Sequence, residues 1–209
     1  MNEQRINYQI ELEKVLENIK NAEAKPRLCL HSCCGPCSSY VLEYLSLYFE
    51  ITVLYFNPSI YPEKEYQKRI STQKSVIEKT DAAEIKLIVC DYDHESYLKL
   101  AKGFENEKEG GSRCEICYAQ RLEYAAEFAS KNGFDFFCTT LSVSPYKNAG
   151  KLNLLGRKFA EKYGVEYLFS DFKKKNGYKR SIELSKEMGL YRQEYCGCEF
   201  SLRDMQNQP

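Results

Sequence analysis

The chain has 209 residues, and its hydrophobic content of 43% suffices for one sizeable core. Lysine plus arginine and aspartate plus glutamate each number 30, so the net charge is zero, which excludes a broad cationic surface for nucleic acid. No apolar run is long enough to span a membrane, and the first residues lack the apolar stretch of a signal peptide. We therefore expect a cytoplasmic protein without a membrane partner.

Hydrophobic periodicity predicts strands and helices that alternate along the chain. In chain order these are a helix over 9–21, a strand over 27–32, a helix over 38–49, a strand over 51–57, a helix over 63–79, a strand over 85–90, a short helix from 95, a helix over 115–131, a strand over 134–141, a helix over 152–163, a strand over 165–169 and a helix over 180–188. This order is typical of an α/β fold with a three-layer parallel sheet, covered by helices on both faces. We predict an N-terminal helical extension over 1–25 and a single α/β domain over 26–209.

Cysteines and polar residues follow the predicted strands. Cys33 and Cys34 come after the first strand, Asn57 after the second, residues 91–93 after the third and residues 139–144 after the fourth. Ligands of parallel sheets bind at the carboxyl ends of the strands. The sequence therefore predicts a site at this rim of the sheet.

Seven of the ten cysteines fall into three short groups: Cys33, Cys34 and Cys37, then Cys114 and Cys117, then Cys196 and Cys198. Thiolates are soft metal ligands, and seven exceed the four that one tetrahedral zinc needs. We infer an iron–sulfur cluster, with thiolates left for a second metal or for redox work. Structural disulfides, a structural zinc site and a thioredoxin-like dithiol at Cys34-Gly35-Pro36-Cys37 stay open as alternatives. The other three cysteines, Cys29, Cys90 and Cys138, are predicted to pack in or near strands.

Six groups of residues extend this pattern beyond the cysteines. They are His31-Ser32-Cys33-Cys34-Gly35-Pro36-Cys37; Phe56-Asn57-Pro58-Ser59-Ile60-Tyr61-Pro62 with Glu65-Tyr66; Asp91-Tyr92-Asp93; Arg113-Cys114 through Cys117-Tyr118 with Arg121-Leu122; Thr139-Thr140-Leu141 with Ser144-Pro145-Tyr146; and Gly189-Leu190-Tyr191-Arg192-Gln193 leading to Tyr195-Cys196-Gly197-Cys198. Together they resemble the QueH family of epoxyqueuosine reductases over roughly residues 25–202.

The resemblance implies an oxidoreductase that reduces epoxyqueuosine to queuosine at the wobble position of tRNA. It also implies a sheet similar to the nucleotide α-hydrolase-like (HUP) fold, a [4Fe-4S] cluster, and an adjacent mononuclear metal, iron or zinc. The implied partners are tRNA carrying epoxyqueuosine in its anticodon loop and an external electron donor of the flavodoxin or ferredoxin type. As a hypothesis for the ligands, Cys33, Cys34, Cys114 and Cys117 hold the cluster, while Cys37, Cys196 and Cys198 bind the second metal.

Other residues of these motifs are candidates for proton transfer and substrate binding. Asp91, Asp93 and His31 are possible proton donors or supports for the metal ligands, and His31 also fits a structural role in its strand. Predicted substrate contacts are Asn57, Tyr61, Thr140, Tyr146, Arg180, Tyr191 and Arg192, with tyrosines stacking on bases and arginines holding phosphates. The run Lys173-Lys174-Lys175, with Lys179 and Arg180, is either a local RNA contact or a solvated loop.

Three competing functions have distinguishing features. A cluster-dependent tRNA sulfurtransferase fits the predicted sheet, but the Ser-Gly-Gly phosphate loop common in the wider group is replaced here by cysteines and Gly35-Pro36, so we do not predict ATP use. A thiol-redox protein would use Cys34 and Cys37. A zinc-stabilised RNA-binding module would be colourless, whereas an iron–sulfur protein is brown.

Overall fold

The computed structural model describes residues 6–20, 22–81 and 85–207. Five strands are present: β1 (Arg27–His31), β2 (Glu50–Tyr55), β3 (Lys86–Val89), β4 (Phe136–Thr139) and β5 (Glu166–Tyr167). They form one parallel sheet in the order β3-β2-β1-β4-β5. The predicted α/β fold with a parallel sheet is thereby confirmed.

Eight α-helices connect and follow these strands: α1 (Tyr8–Ile19), α2 (Gly35–Leu45), α3 (Glu63–Lys79), α4 (His94–Ala101), α5 (Ser112–Lys131), α6 (Ala149–Tyr163), α7 (Gly177–Glu187) and α8 (Glu199–Gln206). The last residue of the predicted first helix, Asn21, lies outside the described residues. The same holds for the start of the predicted extension over 1–25 and for the end of the predicted domain over 26–209. Within the described part of the chain, no helix is both long and apolar enough to cross a membrane.

Two hydrophobic clusters cover the two faces of the sheet. Alternate residues of a strand point to opposite faces, and β1 accordingly places Leu28 and Leu30 in one cluster and Cys29 in the other. The first cluster includes α1 and α2, and Leu12 of α1 is fully buried there. The second includes α5 and α6. Helix α1 therefore belongs to the same core as the sheet.

Helices α2 and α6 begin earlier than the periodicity predicts, because local signals at their first turns extend them beyond their apolar residues. Helix α2 begins at Gly35, with Pro36 in the first turn. Proline is tolerated there because backbone N–H groups of the first turn have no acceptor within the helix. Helix α6 begins at Ala149, because the side chain of Asn148 accepts a hydrogen bond from the Lys151 backbone N–H at 3.1 Å. These shifts move the start of each helix closer to the carboxyl end of the sheet.

The predicted strand over 134–141 is too long. Strand β4 ends at Thr139, and Thr140–Val143 form a 3₁₀ helix instead. The Thr139 hydroxyl accepts a hydrogen bond from the Leu141 N–H at 3.2 Å, which turns the chain out of the sheet. Helix α8, directly after the last cysteine, was not predicted at all.

Candidate metal centre and substrate cavity

The three cysteine groups lie at the N-termini of three helices. Cys34 is the N-cap of α2, Cys114 lies in the first turn of α5, and Cys198 is the N-cap of α8. The Cys198 sulfur accepts a hydrogen bond from the Ser201 N–H at 3.4 Å, and the Cys114 sulfur accepts one from the Gly110 N–H at 3.2 Å. Because helix N-termini carry a partial positive charge, all three positions are suitable for an anionic metal centre.

The groups come together at the carboxyl end of β1. The sulfurs of Cys33 and Cys34 are 3.9 Å apart. Cys114 lies within electrostatic range of Cys117, Cys196 and Cys198. Within the described ranges no three His, Cys, Asp or Glu side chains are arranged to hold a single metal ion. The four ligands of a cubane each bind a different iron, so their sulfurs do not need to meet at one ion.

The remaining three cysteines lie apart from this site. Cys29 and Cys138 are completely buried in β1 and β4, and the Cys138 thiol donates to the carbonyl of Leu168 at 3.2 Å. Cys90 is partly buried beyond the end of β3. Their surroundings are those of packing residues, as predicted.

Burial controls the protonation of the clustered thiols. The hydrogen bond with Cys34 and burial raise the pKa of Cys33 well above its ordinary value. Burial raises the pKa of Cys114 to about 11. These thiols are therefore protonated at neutral pH until a metal displaces the protons.

Three cationic side chains surround the sulfurs. Lys147 places its Nζ 3.7 Å from the sulfur of Cys196. Arg121 is 4% exposed and donates to the hydroxyl of Ser59, which also contacts the Cys117 sulfur at 3.4 Å. Arg69 donates to the carbonyl of Cys196 at 3.1 Å and so holds the C-terminal cysteine loop. Arg121 is buried and Lys147 partly buried, and both positive charges favour an anionic centre among the thiolates.

A cavity of about 410 Å³ opens beside the thiols. Its lining residues include Cys33, Cys34, Cys37, Glu109, Leu141, Tyr146, Lys147, Tyr178, Arg192, Gln193, Glu194, Tyr195 and Cys196. This volume is in the range of pockets for small molecules and nucleosides. The cavity therefore places a bound group directly against at least four of the predicted metal ligands.

Two of the predicted substrate contacts line this cavity. Tyr146 stands at its mouth with 77% of its surface exposed, and both its faces are available for stacking. Arg192 also lines the cavity and donates to the Ser185 hydroxyl at 3.1 Å. Thr140 is fully buried, and its hydroxyl has no hydrogen-bond partner among the described residues.

Four other predicted site residues support the protein around the cavity. The Asn57 amide donates to the carbonyl of Ser32 at 2.8 Å and so fixes the chain before the first cysteines. The Tyr191 hydroxyl donates to Glu65, and its ring lies 3.4 Å below the Lys68 ammonium. Tyr61 is 39% exposed, and its ring stacks on the ring of His94. The fourth residue is His31.

His31 is fully buried and bound on both ring nitrogens. Its Nε2 faces the carbonyl of Phe56 at 3.0 Å, so this nitrogen carries the proton, and its Nδ1 accepts from the Thr139 hydroxyl at 2.9 Å. Burial lowers the pKa of His31 to about 3, so the ring is neutral. These contacts fit the structural role and tie β1 to β2 and β4.

Three predicted residues lie away from the cavity lining. Asp93 caps α4 by accepting from the Ser96 N–H at 3.1 Å, and Asp91 is exposed after β3. Arg180 forms ion pairs with Glu43 at 2.7 Å and with Glu187 at 3.0 Å. Its charge is therefore already balanced by acidic neighbours.

Sequence reasoning assigned no role to Arg121, Lys147 or Glu109. Arg121 belongs to the motif that contains Cys114 and Cys117, and its spacing places all three on one face of α5. This spacing could have indicated that Arg121 lies near the thiols. Lys147 directly follows Tyr146, but nothing in the sequence predicts that its ammonium turns toward Cys196.

Comparison with known proteins gives the family. A family model described as "Epoxyqueuosine reductase QueH" matches residues 28–204. The chain belongs to the QueH family. Curated QueH relatives bear the same name: one from Staphylococcus epidermidis is 41% identical over 207 residues, covering 96% of this chain and 87% of the relative. Another from Haemophilus influenzae is 41% identical over 91% of this chain and 77% of the relative, and one from Thermotoga maritima is 36% identical over 83% and 88%.

Membership in QueH confirms the predicted family and the enzyme class, an oxidoreductase. In this QueH chain the family match begins in β1 and ends in α8, so it contains all three cysteine groups and the whole lining of the cavity. The matched region therefore contains the candidate site.

Proposed function

We propose that this chain reduces the epoxide of epoxyqueuosine in tRNA to the alkene of queuosine. The observation that carries this proposal is the position of seven thiols at three helix N-termini, beside a cavity large enough for a nucleoside. Removal of the epoxide oxygen as water consumes two electrons and two protons. Amino-acid side chains supply protons readily but are poor one-electron donors, so we propose that a metal centre supplies the reducing power.

We propose a [4Fe-4S] cluster and an adjacent mononuclear metal, iron or zinc, bound by the seven clustered cysteines. The donor set is suitable because thiolates are preferred by iron–sulfur clusters and by zinc. The surroundings are suitable because Arg121 and Lys147 are cations that an anionic centre would neutralise. When bound, such centres supply single electrons and a Lewis acid for the oxirane oxygen.

The assignment of ligands stays a proposal: Cys33, Cys34, Cys114 and Cys117 for the cluster, and Cys37, Cys196 and Cys198 for the second metal. The contact between Cys33 and Cys34 supports their membership in one centre. Cys114 is near Cys196 as well as near Cys117, so the two sets share a boundary at the C-terminal loop.

The residues of the cavity wall account for substrate binding. Tyr146 offers an aromatic face at the mouth for an anticodon base, and Arg192 can donate to a phosphate or ribose oxygen. Lys147 can donate a hydrogen bond to an oxygen placed against the thiols. Glu109 and Glu194 line the same cavity and are closer proton sources than the predicted Asp91 and Asp93.

The electrons would come from an external one-electron donor of the flavodoxin or ferredoxin type. Each turnover would oxidise two equivalents of this donor. The product would be the alkene and one water molecule.

Anaerobic purification with iron, zinc and sulfide analysis, an absorption spectrum and single turnover with dithionite and epoxyqueuosine-containing tRNA tests this proposal. We expect a brown protein that yields queuosine without ATP. Cys33→Ala and Cys114→Ala should lose both the cluster absorption and the activity, while Cys29→Ala, the matched control outside the site, should keep both. A colourless zinc protein would contradict the proposal, and turnover that requires ATP would favour the sulfurtransferase.

A further inference from the structure

Arg121 is a buried cation without an ordinary counter-charge. It is 4% exposed, and its Nε has no hydrogen-bond partner among the described residues. No carboxylate of the described chain lies within ion-pair distance of it. The contact with the Ser59 hydroxyl is neutral. An unpaired buried charge is costly, so the fold retains this guanidinium against a substantial desolvation penalty.

Lys147 repeats this situation at the cavity. It is partly buried, it lines the cavity together with four of the clustered cysteines, and its Nζ lies 3.7 Å from the Cys196 sulfur. Within the described residues it too lacks a carboxylate partner. The two cations therefore approach the cysteine groups from different elements, α5 and the segment before α6.

The other two buried arginines have structural explanations. Arg69 is paired with Glu65 at 2.7 Å and donates to two backbone carbonyls of the C-terminal loop. Arg113 donates to the carbonyls of residues 104 and 105 and lies 4.6 Å from the centre of the Phe200 ring. Within the described residues Arg113 also lacks a carboxylate partner and a partner for its Nε, but those two carbonyls hold its guanidinium. Arg121 and Lys147 instead contact Ser59 and Cys196 beside the thiols, so they are the cations of the described site best placed to balance charge on the thiolates.

We infer that Arg121 and Lys147 are positioning residues that make the metal centre easier to reduce. The inference rests on the proposed function, because it concerns the centre that the cysteines would hold. In the step concerned, a low-potential one-electron donor loses one electron and the centre gains it, with no proton transferred. The added negative charge is stabilised by nearby cations, and in a low-dielectric site this stabilisation is large.

The test is a redox titration of the anaerobically reconstituted protein, followed by its absorption and its electron paramagnetic resonance. Arg121→Gln and Lys147→Gln remove one positive charge each and keep a polar side chain. At a fixed ambient potential, each should lower the ratio of reduced to oxidised cluster by about tenfold, which is 59 mV for a one-electron couple. Arg121→Lys and Lys147→Arg keep the charge and should stay near the wild-type ratio.

Matched controls are Arg157→Gln and Lys158→Gln, which remove the same charges from the exposed face of α6. They should leave the ratio unchanged. Wild-type protein that binds no cluster would refute the proposed function itself. A cluster whose ratio is the same in Arg121→Gln, Lys147→Gln and wild type would overturn this inference alone, as would an equal shift in the controls. If Arg121→Gln does not fold or hold iron, Lys147→Gln decides the question by the same criterion.

Discussion

Gly197 separates the two C-terminal cysteines and has φ +132°, a conformation that L side chains rarely adopt. A Cβ at this position would lie 2.9 Å from Nη1 of Arg69, the side chain that anchors the loop. We expect Gly197→Ala to displace Cys196 and Cys198 and to reduce metal content and activity strongly. Metal analysis of the anaerobic protein, beside its free energy of unfolding, measures this effect.

Gly164 provides the control for backbone strain alone. It caps α6 at φ +66°, and no atom lies within 4 Å of a Cβ added there. Gly164→Ala should cost roughly 1–2 kcal/mol of stability and leave the metal content unchanged. If Gly197→Ala also keeps its full metal content, the C-terminal loop does not hold metal in the geometry seen here.

His31 makes the stability of the metal-free protein depend on pH. Its pKa is about 3 in the folded chain and about 6.5 when unfolded, so below pH 6.5 the unfolded chain binds the additional proton. The contribution of neutral His31 to the free energy of unfolding is therefore fully present above about pH 6.5. It falls by about 1.4 kcal/mol per pH unit as the pH decreases toward 3. Urea unfolding between pH 7 and 4.5 measures the slope. His31→Gln should lack this component, and an unchanged slope would show that His31 is not the responsible group.

At the level of residues, the sequence was most informative about the cysteines. Thiols in three short groups have few explanations, and their positions after predicted strands and before helices placed them at one rim. The orientation of Lys147 and the isolation of Arg121 depend on tertiary contacts with Cys196 and Ser59, which are distant in sequence. Periodicity carries no information about such contacts.

Helix α3 connects the core to the C-terminal cysteine loop through one buried ion pair. Glu65 accepts from Arg69 at 2.7 Å and from the Tyr191 hydroxyl, and Arg69 in turn holds the carbonyls of Tyr195 and Cys196. Glu65→Gln leaves the arginine buried without its counter-charge. We expect a loss of about 3–5 kcal/mol in unfolding free energy and faster amide exchange over residues 190–198.

The exposed ion pair of Lys131 with Glu127 on α5 is the control for the buried ion pair of α3. Glu127→Gln should change the stability little, because solvent screens such pairs. Equal effects of Glu65→Gln and Glu127→Gln on urea unfolding would show that the buried pair is not structurally important.

Strands could be predicted where both of their faces are buried. β1 and β2 are nearly continuous apolar runs, which is typical of central parallel strands. Helix starts were missed where capping by Asn148, or a first turn that contains Pro36, extends the helix beyond its apolar face. Helix α8 is short, and its buried Phe200 contacts Arg113, which lies far away in sequence. Phe200 also packs against Tyr97 and Ala101 of α4, and such long-range contacts cannot be read from a local pattern.

On the scale of the whole molecule, most cations of the lysine-rich segment 173–180 are paired with nearby carboxylates. In the predicted RNA patch, Lys173 pairs with Asp171 at 2.6 Å, Lys175 with Glu13, and Arg180 with Glu43 at 2.7 Å. Lys174 is the one cation of the 173–175 run for which the described chain offers no ion-pair partner. It lines a cavity that also contains Lys147, next to the candidate site. A tRNA backbone would therefore meet few unpaired charges on this side.

The salt dependence of tRNA binding tests this arrangement. Each phosphate contact releases counterions, so the slope of log affinity against log salt counts the cations that meet phosphate. We expect a shallow slope for the wild type, a reduction by about 1 in Lys174→Ala, and no change in Arg180→Ala. The triple replacement of Lys174, Lys175 and Arg180 by alanine should then match Lys174→Ala, with the metal content unchanged in all three variants. A slope that falls further in the triple variant would show that Lys175 or Arg180 leaves its acidic partner to bind the RNA. The run would then be a local RNA contact and not a solvated loop.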